Sequence, residues 1–214
     1  MLTVWGRATS SNVQAVMWTI GELGLKHERI DVGHTYGGND SAEYLAMNPN
    51  GRIPTIRDGD GAPIFESAAI VRYLACTYGD TIFWPRDPGH RAGLDMWAEW
   101  IKTTFTPVFG IQVFYQRVML ASAQRNPAVI AQGIEALKPL VKMLDARLGE
   151  GPWLDGDLFT YGDILCGHLL YRYFSHDFDK AEAPALEAYY RRLQARPAYR
   201  EHVMVSYEPL RAKD

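Results

Sequence analysis

The chain has 214 residues, of which 47% are hydrophobic and 22% charged, and this balance excludes a disordered or fibrous protein. Its 22 Lys and Arg residues against 25 Asp and Glu residues give a net charge of -3, so no basic excess exists to bind nucleic acid. Two cysteines, Cys76 and Cys166, are too few for a disulfide framework and favour a reducing compartment. The chain starts without a signal-peptide pattern and has no apolar run near the ~20 residues that span a membrane, which predicts a soluble cytoplasmic protein.

The first third of the chain alternates between short apolar runs and helical patterns. Strands are predicted over 2–5, 28–32, 54–57 and 62–65, with a hairpin turn at 58–61 between the last two. Helices are predicted after Ser10-Ser11-Asn12, over 42–47, and from Ser67, which we expect to cap the third helix. The order βαβαββα predicts an α/β unit with a mixed parallel and antiparallel sheet.

The rest of the chain is predicted to be helical. Two prolines mark residues 80–88 as a linker between a domain over 1–79 and an all-α domain over 89–214. Pro107 is expected to kink or break the first long helix of that second domain. Thr160 and Asp163 have the spacing of a capping box, which predicts that a helix begins there.

Several common active-site patterns are missing. The six histidines show no HExxH or Cys/His spacing, so no metal site is predicted. His34 is interpreted as a solvated loop residue and His168 as a core residue. The aromatic residues of the first long helix are mostly core by their spacing, although part of them could line an apolar pocket.

Three modest features remain, and each also has a plain structural explanation. Ser10-Ser11-Asn12 precedes the first helix, where unpaired amides favour an anion, yet a single hydroxyl there is ordinarily only an N-cap. Arg52-Ile53-Pro54 enters a strand, with the Ile53 backbone free to pair with a peptide and Pro54 a candidate for the cis isomer. Glu66-Ser67 offers a carboxylate for an ammonium group and a hydroxyl for a carboxylate. Together they predict a site for a small zwitterionic peptide.

These segments, in this order, resemble the glutathione transferase superfamily, and in particular its serine-type bacterial members. The most specific resemblance is in residues 65–74, with further similarity in residues 2–13, 48–54 and 159–164. The resemblance covers essentially the whole chain. It implies a thioredoxin-like N-terminal domain, an all-helical C-terminal domain, glutathione as co-substrate without a metal, and a homodimer.

The resemblance also implies a role for each site residue. Ser10 takes the position of the catalytic hydroxyl, with Ser11 and Asn12 as assistants or alternatives. The implied glutathione ligands are Arg52, Ile53, Pro54, Glu66, Ser67 and Asn39. The residues proposed to hold the electrophile are Phe105, Phe109, Gln112 and Phe114.

We therefore expect a glutathione S-transferase that ionises the glutathione thiol for attack on a small hydrophobic electrophile. The first loop contains neither the Tyr nor the Cys of other family types, which argues against glutaredoxin-like chemistry. One alternative is a non-catalytic interaction module built on the same fold. Others are peroxidase, dehalogenase or isomerase activity, because the sequence does not determine the shape of the helical pocket.

Overall fold

The computed structural model describes residues 1–213 and begins with a small α/β unit. Its elements are β1 (Leu2–Trp5), α1 (Ser11–Glu22), β2 (His27–Ile30), α2 (Ala42–Met47), β3 (Thr55–Asp58), β4 (Ile64–Phe65) and α3 (Ser67–Tyr78). The sheet order is β2-β1-β3-β4, with β1 parallel to β2 and antiparallel to β3, and β3 antiparallel to β4. The predicted mixed sheet is therefore confirmed.

The register of this sheet follows from which residues are apolar. Val4 lies opposite Ile56 of β3, and both are fully buried. They face the helices α1 and α3, which pack against each other and supply fully buried Val16, Ile20 and Ile70. The strands are only two to four residues long, and a glycine or proline adjoins β1, β3 and β4.

Everything after α3 in the described part of the chain is helical or irregular, apart from two isolated bridges at Trp153–Gly156 and Asp155–Leu158. The α-helices are α4 (Pro88–Trp100), α5 (Pro127–Leu148), α6 (Tyr161–Gly167), α7 (Leu170–Ser175), α8 (Pro184–Ala195) and α9 (Pro197–His202). Two π-helical segments, π1 (Ile101–Phe105) and π2 (Pro107–Met119), follow α4. Short 3₁₀ turns occupy His34–Tyr36, Ser122–Gln124 and Glu208–Leu210. The thioredoxin-like plus all-helical architecture is as expected.

The helix that was expected to kink or break at Pro107 does not break there. Trp100, Ile101 and Thr106 all keep right-handed helical angles, so the backbone runs on from α4 through π1 into π2. The Thr106 N–H bonds to the Ile101 carbonyl five residues back, and the Thr106 hydroxyl donates to the same carbonyl at 2.7 Å. Pro107 is the first residue of π2 and lies inside this continuous helix, so its missing N–H leaves the preceding turn without one hydrogen-bond donor.

The two halves of the molecule share one core. Trp18 of α1 is fully buried, and its ring centroid lies 4.8 Å from that of Tyr199 on α9. Arg196 donates two hydrogen bonds to the Glu22 carboxylate, at 2.7 and 2.6 Å, and its guanidinium lies over the ring of Phe159. Because of these contacts, a site where the two halves meet is held by packing from both sides.

No helix in residues 1–213 is both long and apolar enough to cross a membrane.

Candidate functional site

At the first turn of α1, the backbone N–H groups and the serine hydroxyls donate to no acceptor among the described residues. Ser10 stands at the N-cap position with an extended backbone (φ -87°, ψ 124°), yet its side chain makes no capping hydrogen bond. Within residues 1–213, nothing accepts from the Ser10 and Ser11 hydroxyls or from the N–H groups of Ser11, Asn12 and Val13. Unpaired amides and the helix dipole make this turn a site for a negative charge.

The start of α3 differs from the expected cap. Ser67 is the first residue of the helix, and Glu66 precedes it with φ +69°, a region that non-glycine residues rarely occupy. The Ser67 hydroxyl does not cap α3; it donates to Asn12 Oδ1 at 3.3 Å. The prediction of a Ser67 cap was wrong because the hydroxyl has a partner 55 residues earlier, which local spacing does not reveal.

A polar cavity of about 160 Å³ lies between the starts of α1 and α3. The structure brings together here six residues predicted from the sequence, which are Asn12, Arg52, Ile53, Pro54, Glu66 and Ser67. Lys102 of π1 closes one side, and its ammonium group donates to Glu66 Oε2 at 2.8 Å. The cavity thus holds both a carboxylate and an ammonium group, as a zwitterionic ligand requires.

The Ile53-Pro54 peptide bond is cis, and the backbone before it is held in place. The Tyr44 hydroxyl and the Asn48 amide both donate to the Arg52 carbonyl at 2.7 Å. No hydrogen bond from the described residues reaches the Ile53 N–H or C=O, while its side chain packs against the core. Ile53 therefore presents a free pair of backbone groups to the polar cavity.

A second cavity, of about 250 Å³, adjoins Arg52 and Ile53 and has a basic lining. Arg7, His34 and Asn39 complete it, and Asn39 donates to the Gly51 carbonyl at 2.8 Å. Burial lowers the pKa of the Arg7 guanidinium, and Arg7 Nε is buried without a partner among the described residues. Such a lining suits a carboxylate.

The third cavity, of about 400 Å³, is apolar and opens at Ser11. Its lining residues Phe109, Phe114 and Met119 are five positions apart, the repeat of a π-helix, so they share one face of π2. Phe109 and Phe114 were predicted to hold the electrophile and line this cavity, whereas Phe105 and Gln112, predicted with them, do not line it. Phe105 is fully buried against Tyr173, and Gln112 faces Gly133 of α5.

The sequence interpretation missed three basic residues of these cavities. Arg7 and Lys102 look like ordinary surface residues in the sequence, because nothing local shows what they face. Arg172 had a signal, since it is a lone charge within the apolar run from residue 169 to 174. Its side chain is only 7% exposed and lines the apolar cavity.

Neither cysteine takes part in these cavities. Cys166 is buried in the core, which raises the pKa of its thiol well above the usual value, and Cys76 lies at a different surface depression. Residues 1–213 contain no group of three His, Cys, Asp or Glu side chains placed to hold a metal ion. The cavities therefore supply hydrogen bonds, charges and apolar surface.

Comparison with known proteins identifies a family for the whole architecture. Residues 1–76 match the model for the N-terminal domain of glutathione S-transferases, and residues 127–192 match that for the C-terminal domain. Glutathione S-transferase GstB of Escherichia coli K12 is 37% identical over 96% of this chain and 99% of its own. The disulfide-bond oxidoreductase YfcG of the same strain is 30% identical over 83% of this chain and 82% of its own.

A solved structure agrees with this assignment. The theta class glutathione S-transferase of Xanthomonas axonopodis pv. citri, with glutathione bound, superposes with a TM-score of 0.91 at 40% identity. The match covers 96% of this chain and 98% of that one. The chain therefore belongs to the glutathione S-transferase family.

Proposed function

We propose that this protein is a glutathione S-transferase that ionises the glutathione thiol at the first turn of α1. The observation that carries the proposal is the unused set of donors at that turn, which lies between two different cavities. Asn12 lines the polar cavity and Ser11 lines the apolar one, so a sulfur bound there can reach both. The relative from Xanthomonas, whose structure contains glutathione, supports the choice of ligand.

The polar lining is complementary to glutathione along its length. Glu66 would bind the ammonium group of the γ-glutamyl end, and Ser67 would donate to its carboxylate. Ile53 would pair with the cysteinyl backbone beside Pro54. Arg52, together with Arg7 and Asn39, would face the glycyl carboxylate in the basic cavity.

The chemical step follows from the charge on sulfur. A free thiol has a pKa near ~8.5, and lowering it by ~2 units takes ~2.7 kcal/mol of preferential stabilisation of the thiolate. The Ser10 hydroxyl and the first-turn amides supply such donors, with Ser11 and Asn12 beside them. The thiolate then attacks an electrophile held against Phe109 and Phe114.

The family supports three further parts of this proposal. These are the division into domains over 1–79 and 89–214 with a linker over 80–88, the assembly into a homodimer, and a cytoplasmic location. The uncapped start of α1 between two cavities favours an enzyme over a non-catalytic interaction module, because such a module does not need these free donors. Peroxidase, dehalogenase and isomerase activities are distinguished by assaying the protein with a panel of different substrates.

The experiment is a comparison of Ser10→Ala, Ser11→Ala and Asn12→Ala. We expect Ser10→Ala to keep glutathione affinity but to lower kcat at least ~10-fold and to raise the pKa of the bound thiol, since one charge-assisted hydrogen bond is lost. The pKa is read from thiolate absorbance across pH. Ser206→Ala, an exposed serine near the C-terminus, is the control. A loss confined to Ser11→Ala or Asn12→Ala would move the role to that residue, and no glutathione binding by the wild-type protein would refute the proposal.

A further inference from the structure

Arg172 of α7 is a buried cation that has no carboxylate partner in the part of the chain that the structure describes. Its Nη2 donates to the Thr9 carbonyl at 2.6 Å, and its guanidinium carbon lies 4.7 Å from the centre of the Phe114 ring. Among residues 1–213, no Asp or Glu forms an ion pair with it. Burying a charge is costly unless it is paired, and one carbonyl and one ring satisfy only part of the guanidinium.

Arg172 lines the apolar cavity. The other lining residues include Phe109, Phe114, Leu169 and Ser11, and none of the lining residues is acidic. No partner within the described chain accepts from Arg172 Nε or Nη1, and neither atom is sealed from solvent. Desolvation lowers the pKa of Arg172 to about 10, which still leaves it protonated at neutral pH. Among the described residues that line it, this mostly apolar cavity thus has one positively charged side chain, that of Arg172.

A carboxylate is the group that completes this arrangement. The guanidinium fork matches a planar carboxylate with two parallel hydrogen bonds, and the low polarity of the surroundings strengthens them. A volume of about 400 Å³ admits a small molecule, and the hydroxyl of Ser11 marks the end at which the sulfur would sit. A substrate whose carboxylate binds Arg172 would therefore place its reacting carbon on the side of the cavity that faces α1.

We propose that Arg172 selects small electrophiles that carry a carboxylate close to the reacting carbon, such as α-halocarboxylic acids. This inference rests on the proposed transferase function. In the reaction the thiol proton passes to solvent, the thiolate sulfur forms a bond to the α-carbon, and the carbon–halogen bond breaks with its electron pair leaving as halide. Arg172 binds the substrate carboxylate and takes no part in bond making, so it determines specificity.

The test uses iodoacetate and iodoacetamide, which have the same leaving group and nearly the same size but differ in charge. The kcat/KM of each is divided by its uncatalysed rate with free glutathione at the same pH. We expect the wild-type protein to favour iodoacetate at least ~10-fold after this correction, as one charged bidentate pair implies. In Arg172→Met the corrected ratio should fall to about 1, with iodoacetamide changed less than ~3-fold. Arg191→Met, which removes an exposed arginine of α8, should keep the wild-type ratio.

A corrected wild-type ratio of 1 or less would overturn the inference without any variant. An equal loss for both probes in Arg172→Met would also overturn it, because Arg172 would then act on the thiolate or on the fold. If Arg172→Met does not fold, a competition experiment on the wild-type protein tests the inference instead. Acetate should inhibit the turnover of iodoacetamide, and acetamide should not. Absence of catalysis with both probes despite bound glutathione would instead refute the transferase function and, with it, this inference.

Discussion

Glu66 combines an unusual backbone with a charge at the site. Its positive φ of 69° costs of the order of 1 kcal/mol in a residue with a Cβ, and it turns the chain from β4 into α3. The same residue presents its carboxylate to Lys102 across the junction of the two halves. Both side chains are substantially exposed, with 56% and 42% of their surface accessible, so the ion pair adds little to stability. We therefore infer that the main role of the Glu66 carboxylate is to bind the ligand.

Glu66→Gln separates these two roles. The substitution keeps the size of the side chain and removes the charge that would bind the ammonium group of glutathione. We expect KM for glutathione to rise about tenfold, in line with the loss of one charge-assisted hydrogen bond, while Tm changes little. Steady-state kinetics and thermal melting measure the two effects.

Glu135→Gln is the matched control for this substitution. Glu135 also forms an exposed ion pair with a lysine, Lys138, but it lies on α5 and lines none of the three cavities. Its KM for glutathione should equal that of the wild-type protein. A normal KM in Glu66→Gln would remove Glu66 from the binding site, and a large drop in its Tm would show that the ion pair is structural.

The beginning of α6 shows how one side chain can fix an element. Asp163 Oδ2 accepts from the Thr160 N–H at 2.8 Å, and its Oδ1 accepts from the Leu154 N–H and the Tyr189 hydroxyl at 2.9 and 3.0 Å. The Thr160 hydroxyl in turn accepts from the Gly162 N–H, so the predicted capping box is confirmed. The cap therefore joins α6 to α8 and to the segment before the helix.

Asp163→Asn tests this cap with almost no change in shape. An amide offers one acceptor oxygen and places N–H donors where Oδ2 now accepts, so a buried backbone N–H loses its partner. We expect the free energy of unfolding to fall by about 2–4 kcal/mol, even though the substitution removes a buried charge. Urea denaturation at neutral pH measures the change.

Asp179→Asn is the control, because Asp179 is 74% exposed and has a surface partner, Lys138. It should change stability by less than ~1 kcal/mol. An Asp163→Asn variant as stable as the wild-type protein would show that burial of the charge costs as much as the hydrogen bonds to the carboxylate contribute.

The elements that the sequence predicted well depend on local information. Short apolar runs between glycines and prolines predicted the strands, and the helix bounds at residues 42–47 agree with the structure. The spacing of Thr160 and Asp163 predicted the start of a helix because a cap is a contact between neighbours in the chain. The turn at residues 58–61 is local in the same sense.

The parts that the sequence did not predict depend on distant partners or on an unusual repeat. Ser67 is a residue type that often caps helices but bonds to Asn12, and Lys102 joins the site through its ion pair with Glu66, 36 residues earlier. Phe105 and Gln112 were misplaced because they lie in π1 and π2, whose five-residue hydrogen-bond spacing rotates side chains away from the α-helical pattern. Local periodicity gives no sign of such a change.

At the scale of the whole molecule, three buried groups in the helical half have pKa values shifted into or below the mildly acidic range. Burial lowers the pKa of His168 to about 4, against the influence of the Leu165 carbonyl, and lowers that of His176 to about 4, with Arg117 and Lys180 nearby adding to the effect. Burial raises the pKa of Asp163 to about 6. The two histidines therefore resist protonation in the folded state, and the carboxyl resists ionisation.

These shifts act on stability in opposite directions. Below the ordinary histidine pKa of 6.5, the unfolded chain takes up a proton on each of the two histidines that the folded chain does not, so stability falls as pH falls toward 4. Between 3.8 and about 6 the folded chain keeps a proton on Asp163 that the unfolded chain releases, so this group loses stability as pH rises. Near pH 5 the two histidines outweigh the one carboxyl by one proton.

We therefore expect the free energy of unfolding to fall by about 1.4 kcal/mol for each pH unit of acidification near pH 5, the value for one proton. Urea denaturation curves from pH 4.5 to pH 7 measure this slope. His168→Gln with His176→Gln should remove it or reverse its sign, because Asp163 then acts without the two histidines. His34→Gln, a change at an exposed loop residue, should keep the wild-type slope. A double variant that is as acid-sensitive as the wild-type protein would place the sensitivity in other groups, such as His202, whose pKa burial also lowers.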